Sequence, residues 1–128
     1  MALKIELKPK ERIIIGSSVI TNDGQSRTKL KIEGDAAILR EPDILRSEDA
    51  KTPCEKIYLV VQMMYLSPDP AEFHDHFFEL IKDVVVAAPS TTSYIERLSN
   101  QILTGSYYKA LKETKALIKY EKELMQNA

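Results

Sequence analysis

The segment FHDHF sets His74 and His76 two residues apart, and Cys54 is the single cysteine; these are the side chains best suited to hold a soft or borderline metal ion. On a helix, positions two apart lie roughly 200° apart around the axis, so the two imidazoles cannot converge on one ion. The chain has no third histidine and no second cysteine to complete a site. No metal and no cofactor is therefore expected. SYYK matches the Ser-x-x-Lys pattern through Ser106 and Lys109, and YKALK the Tyr-x-x-x-Lys spacing through Tyr108 and Lys112. Both chemistries need companion motifs or a glycine-rich cofactor loop, which this sequence lacks. Ser106 reads instead as a hydroxyl N-cap, and Cys54, with no histidine signature beside it, as a buried or half-buried thiol. No constellation supports an enzyme.

The other chemistry-bearing pattern is cationic. In KPKERIIIG, Lys8, Lys10 and Arg12 crowd a proline corner that runs into a β-branched strand, and RTKLKIE places Arg27, Lys29 and Lys31 on one strand parity. Residues 1–32 carry seven basic and three acidic side chains, a net of +4, so the remaining residues carry −5 of the total of −1. Two readings stay open. Lysine on an exposed strand guards against edge-to-edge aggregation, and a clustered basic face also tracks phosphates. In the second reading Lys8, Lys10, Arg12, Arg27, Lys29 and Lys31 contact and position an RNA backbone, with base readout unidentified. No ribonucleoprotein aromatic box, Gly-x-x-Gly clamp or recognition helix accompanies them.

The elements that must position these residues follow from periodicity. LKIEL alternates strictly, with Leu3, Ile5 and Leu7 on one face. RIIIGSSVI reads as a strand ending at NDGQ, whose Asp23-Gly24 is a hairpin signal. RTKLKIE sends Thr28, Leu30 and Ile32 inward, and Gly34-Asp35 turns the chain into AAILR. From residue 42 the period becomes helical. TPCE is a capping box from Thr52, DPAE repeats the device from Asp69, Ser93 with Glu96 opens a third helix that Gly105 stops, and a fourth runs from about Ser106 to Met125. The fold class is α+β: a small N-terminal antiparallel β meander, then a bundle of about four helices. The boundaries are 1–41 for the basic β lobe and 42–128 for the helical lobe, packed as one compact domain. The long fourth helix has enough apolar positions to serve the core or a second copy of the chain, so a homo-oligomer through this lobe is an open expectation.

At 128 residues, 44% hydrophobic and 29% charged, the chain has an ordinary globular balance. A lone cysteine fits a reducing compartment, MALKIELKPK has no apolar signal core, and no run approaches a membrane span. A cytoplasmic location without membrane contact is the expectation.

LKPKERIIIG, LREPDIL, TPCEKIYLVVQMMYL and YYKALKETKALIKYE, in that order, resemble the FlbT family of flagellum-biosynthesis regulators across essentially the whole chain. The resemblance implies a post-transcriptional regulator that associates with the 5′ untranslated leader of flagellin mRNA and typically represses its translation or stability. Lys10 stands where the family often has glycine in KPGE, which adds charge and is expected to change the turn. Cys54-Glu55-Lys56 replaces a stretch that is often more basic. The β lobe alone is weakly similar to CsrA-type translational regulators, which bind leader RNA, although their glycine before the glutamate is missing here. The alternative function is a protein-interaction module that binds flagellin or a flagellar chaperone through the helices, with indirect effects on RNA.

Overall fold

The structure is a computed structural model and describes residues 2–127. The chain divides into two compact units, residues 1–44 and 45–128.

The first unit holds five strands: β1 (Ala2–Leu7), β2 (Arg12–Ile15), β3 (Ser18–Thr21), β4 (Thr28–Glu33) and β5 (Ile38–Arg40). They are antiparallel, as expected, but they do not form a simple meander. β1 pairs with β4, and β2 lies between β3 and β5 in a second sheet. The hairpin also turns elsewhere than the Asp-Gly signal indicates. Ile15 is opposite Ser18, so Gly16 and Ser17 form a two-residue turn, with Gly16 at φ +62°. A glycine with positive φ at the first central position suits the twist of a tight hairpin. Ile5, Leu7 and Ile13 are buried at the centre, and Ile15, Leu30, Ile32 and Ile38 pack around them. Leu30 and Ile32 thus face inward as their parity requires, while Thr28 at the strand end is exposed.

The second unit is helical: α1 (Pro53–Leu66), α2 (His74–Ala87), α3 (Thr92–Leu103) and α4 (Tyr107–Gln126). α4 packs on α1 and α3, and α1 packs on α2. The helix-facing stripes bury Ile57, Val60, Val61 and Met64 from α1, Phe77, Ile81 and Val84 from α2, Ile95, Leu98 and Ile102 from α3, and Leu111 and Leu117 from α4. The capping box forms: Thr52 Oγ1 accepts from Glu55 N at 3.2 Å, and Glu55 Oε1 accepts from Thr52 N at 3.0 Å. α3 ends in a Schellman pattern, with Ser106 N donating to Gln101 O (2.7 Å) and Gly105 N to Ile102 O (3.1 Å), around Gly105 at φ +73°.

Two helix starts differ from expectation. Pro70–Phe73 forms a 3-10 turn, so α2 begins only at His74 and Asp69 makes no side-chain cap. Pro89–Thr91 likewise forms a 3-10 turn ahead of α3, which leaves Ser93 inside the helix. In both cases a proline at the first position tightens the entry before the α ladder begins. Gln62, buried in α1, is satisfied from both ends: its amide accepts from Leu45 N at 2.8 Å and donates to Leu45 O at 3.0 Å.

Candidate nucleic-acid interface

The β1–β4 ribbon sorts its side chains by face. Leu3 opposite Ile32 and Ile5 opposite Leu30 form the apolar rungs, and Lys4 opposite Lys31 and Glu6 opposite Lys29 form the outer ones. A shallow groove of about 460 Å³ runs along it, lined by Lys4, Ile5, Glu6, Lys29, Leu30 and Lys31. Like charges directly opposite each other destabilise a strand pair, so the Lys4–Lys31 rung is a cost that bound phosphate would remove. Lys31 Nζ reaches Glu33 Oε1 at 3.0 Å on its own strand. Lys4 was not among the expected contact residues, although the alternation of LKIEL places it outward; the pairing partner, not the parity, was missing from the sequence.

The proline corner is a tight turn. Glu11 N donates to Lys8 O at 3.0 Å, Pro9 occupies the second position, and Lys10 the third with φ +66°. Pro at the second position and positive φ at the third define a type II turn, which prefers glycine where Lys10 stands. The extra side chain was expected to change this turn. In this chain Lys10 adopts the left-handed conformation that the third position requires, the only non-glycine among the described residues to do so.

Asn22 holds that conformation in place, and nothing in the local pattern singled it out. It is buried, and its Nδ2 donates to Leu7 O (3.0 Å), Lys8 O (3.2 Å) and Ser26 O (2.9 Å). Its Oδ1 accepts from Gly24 N at 3.1 Å, and its carbonyl accepts from Lys10 N at 2.7 Å. The Asn22-Asp23-Gly24 stretch is therefore an Asx-type clamp that ties the basic corner to the β3–β4 connection. Replacing Lys10 by glycine removes the left-handed penalty of a side chain, about 1 kcal/mol. The Lys10→Gly variant is expected to raise the thermal midpoint of the first unit while weakening any polyanion contact made there. A lowered midpoint would show that the strain relieved is smaller than the unfolded-state entropy glycine adds and the Lys10–Asp23 contact it removes.

The six expected residues are not equivalent. Lys10 Nζ is 3.0 Å from Asp23 Oδ1, Arg12 Nε 3.4 Å from Glu41 Oε1 and Arg27 Nη1 4.0 Å from Glu6 Oε1. Arg12 is further tied through its backbone N to Glu41 Oε2 at 3.3 Å and is half-buried. Among the described residues, the exposed side chains of Lys4, Lys8 and Lys29 enter no ion pair. Residues 1–44 contain eight basic and seven acidic side chains, a net of only +1. The unit is thus nearly neutral, and its cationic character is a property of the ribbon's outer face and corner.

The other candidate chemistries do not assemble. His74 Nε2 lies 3.3 Å from the Tyr107 hydroxyl, and His76 is exposed. No group of three or more His, Cys, Asp or Glu side chains among the described residues is placed to hold a metal ion. Ser106 Oγ is 3.3 Å from Thr104 Oγ1 and caps nothing with its side chain. Lys112 Nζ sits over the Tyr108 ring, 5.1 Å from its centroid. Cys54 is buried; burial first, and then the neighbouring Glu121 carboxylate, push its thiol far up, which keeps it protonated and inert. Glu121 instead serves α1, accepting from Thr52 Oγ1 at 2.6 Å and Cys54 N at 3.1 Å. The backbone N–H of Thr52 holds the Glu55 carboxyl below its usual range, with Lys122 as a lesser contribution. No helix among the described residues is long and apolar enough to cross a membrane.

The family described as "Flagellar protein FlbT" matches residues 3–125. A Bradyrhizobium diazoefficiens protein named probable flagellum biosynthesis repressor protein FlbT 1 is 54% identical over 125 residues, covering 97% of this chain and 85% of its own. A Rhodopseudomonas palustris protein named probable flagellum biosynthesis repressor protein FlbT is also 54% identical, over 98% of each chain. The flagellum biosynthesis repressor protein FlbT of Caulobacter vibrioides is 36% identical, over 96% of this chain and 89% of its own. No solved structure matches the chain.

Proposed function

The chain belongs to the FlbT family of flagellar proteins, and from that premise we propose that it is a non-enzymatic, cytoplasmic repressor of flagellum biosynthesis that acts on the 5′ leader of flagellin mRNA. The relatives' names support the repressor part of the reading. One observation carries the RNA part: a lysine-paired ribbon face beside a corner that keeps Lys10 in a left-handed conformation. Both features cost stability in the free protein, and both place positive charge outward where phosphates can neutralise it. Lys4, Lys8, Lys29 and Lys31 would contact phosphates, with Lys10 and Arg27 released from their surface carboxylates on binding. Such exposed ion pairs are weak enough to exchange. Arg12, half-buried against Glu41, is the least able to turn outward.

Purified protein mixed with labelled flagellin leader RNA should give a retarded band at micromolar protein or below. A same-length coding-region RNA should compete poorly.

A second reading, a protein-interaction module for flagellin or a flagellar chaperone, is favoured by an apolar groove of about 280 Å³ in the helical unit. It is lined by Pro53, Cys54, Val84, Ala87, Ala88 and Leu124, among others. Absence of any RNA shift, together with co-elution of the protein with flagellin or its chaperone, would select that reading.

A further inference from the structure

Residues 45–128 hold ten basic and twelve acidic side chains, a net of −2. The periodicity of α4 distributes that charge unevenly. Tyr108, Lys112, Lys115, Lys119 and Lys122 follow one another at steps of four, three, four and three, which places them on a single stripe. Lys109 flanks it, and Ala110, Leu111, Thr114 and Leu117 form the buried side of the same helix.

Two of the three α4 carboxylates are engaged elsewhere. Glu113 Oε1 accepts from Arg97 Nε of α3 at 3.2 Å, and its side chain is only 15% exposed. Glu121 is held on the N-terminus of α1. The third, Glu123, follows Lys119 by four residues, and across the packing Glu55 of α1 feels the charge of Lys122. Neighbouring lysines three and four apart repel, whereas a merely solvated helix face gains by alternating sign.

At the N-terminal end of the stripe stands an aromatic platform. Tyr108 is 46% exposed, its ring lies 5.7 Å from that of Tyr65, and Lys112 Nζ covers it. A groove of about 430 Å³ opens there, lined by Gln101, Tyr108, Lys109, Lys112, Glu113 and Ala116. A cationic track that starts at a half-exposed aromatic ring fits a single-stranded nucleic acid, one base of which displaces the Lys112 ammonium and stacks on the ring while the phosphates follow the lysines. An acidic polypeptide would use the charges and leave the ring without a role. From Lys109 to Lys122 the track is about 20 Å long at the helical rise, room for several nucleotides.

We infer that the Tyr108–Lys122 stripe of α4 is a second RNA-contact surface, which holds single-stranded RNA by base stacking on Tyr108 and phosphate contact along the lysines. This deepens the RNA-binding reading and rests on it.

The test is fluorescence anisotropy on a single-stranded segment of flagellin leader RNA, with the full chain and two variants. In Lys109→Gln/Lys119→Gln/Lys122→Gln the slope of log affinity against log salt should flatten by about 0.7 for each lost contact, roughly 2 units. In Tyr108→Ala affinity should fall about 5- to 100-fold with the slope unchanged, as for a lost stacking partner. Circular dichroism should match the parent in both. If the wild type binds and neither variant differs from it, the stripe is a solvated face; the inference fails and the RNA-binding reading stands. If the wild type itself does not bind, both fail. If the triple variant keeps RNA binding but loses retention of poly-aspartate, the stripe serves acidic protein and the inference is again overturned.

Discussion

Replacing Leu117 by aspartate is expected to unfold the helical unit at ambient temperature. Leu117 is fully buried on α4, the helix that packs against both α1 and α3. Truncating a buried leucine alone costs about 2–5 kcal/mol, and the aspartate adds an unpaired charge with no polar partner in an apolar site. The sum, about 4 kcal/mol or more, rivals the whole stability of a small domain. Loss of the helical circular-dichroism signal, or a thermal midpoint lowered by tens of degrees, checks it. Ile118, the next residue, is only half-buried, so Ile118→Asp should cost markedly less. Equal effects at the two positions would mean that α4 is seated on a different face from the one described, for example against a second copy of the chain.

Features that one stretch of chain decides by itself were legible in the sequence. The Thr52–Glu55 box needs only a hydroxyl and a carboxylate three residues apart. The stop at Gly105 needs only a residue free to adopt positive φ. The inward parity of Ile5, Leu7, Leu30 and Ile32 needs only alternation. Features that depend on a distant partner were not legible. Asp23-Gly24 is a sound hairpin signal, yet Asn22 commits its side chain to Leu7, Lys8 and Ser26, and the turn goes to Gly16-Ser17. The pairing of β1 with β4, which brings Lys4 opposite Lys31, joins segments more than twenty residues apart and leaves no local trace.

The candidate sites show the same division. Lys29 and Lys31 were readable from strand parity, and Lys4 became a candidate only through its partner strand. Arg12, equally basic in the sequence, is drawn onto Glu41. Net charge summed over a lobe hid the lysine stripe of α4, because two of the acids that balance the sum are turned to Arg97 and to the start of α1. Charge totals predict little about a surface when folding withdraws one sign from it.

The ribbon face carries the largest expected effect on binding. Changing Lys4, Lys8, Lys29 and Lys31 together to glutamine should leave the first unit folded. All four side chains are exposed, and the core is filled by Ile5, Leu7, Ile13 and their neighbours. The one ion pair lost, Lys31 with Glu33, is a surface contact of little weight. Removing the Lys4–Lys31 repulsion should offset that loss or slightly exceed it. If each lysine meets a phosphate of a single-stranded leader, four counterion releases disappear, and affinity near 0.1 M salt falls about 10²- to 10³-fold.

The most direct test of the central claim is the salt dependence of that binding. Titrations of flagellin leader RNA with the wild type and with the quadruple lysine variant, across a series of potassium chloride concentrations, give two lines of log affinity against log salt. The ribbon-face account predicts a slope shallower by about 0.7 × 4, roughly 3 units, in the variant, with unchanged circular dichroism. Two parallel lines, or a wild type whose affinity does not respond to salt, would contradict it.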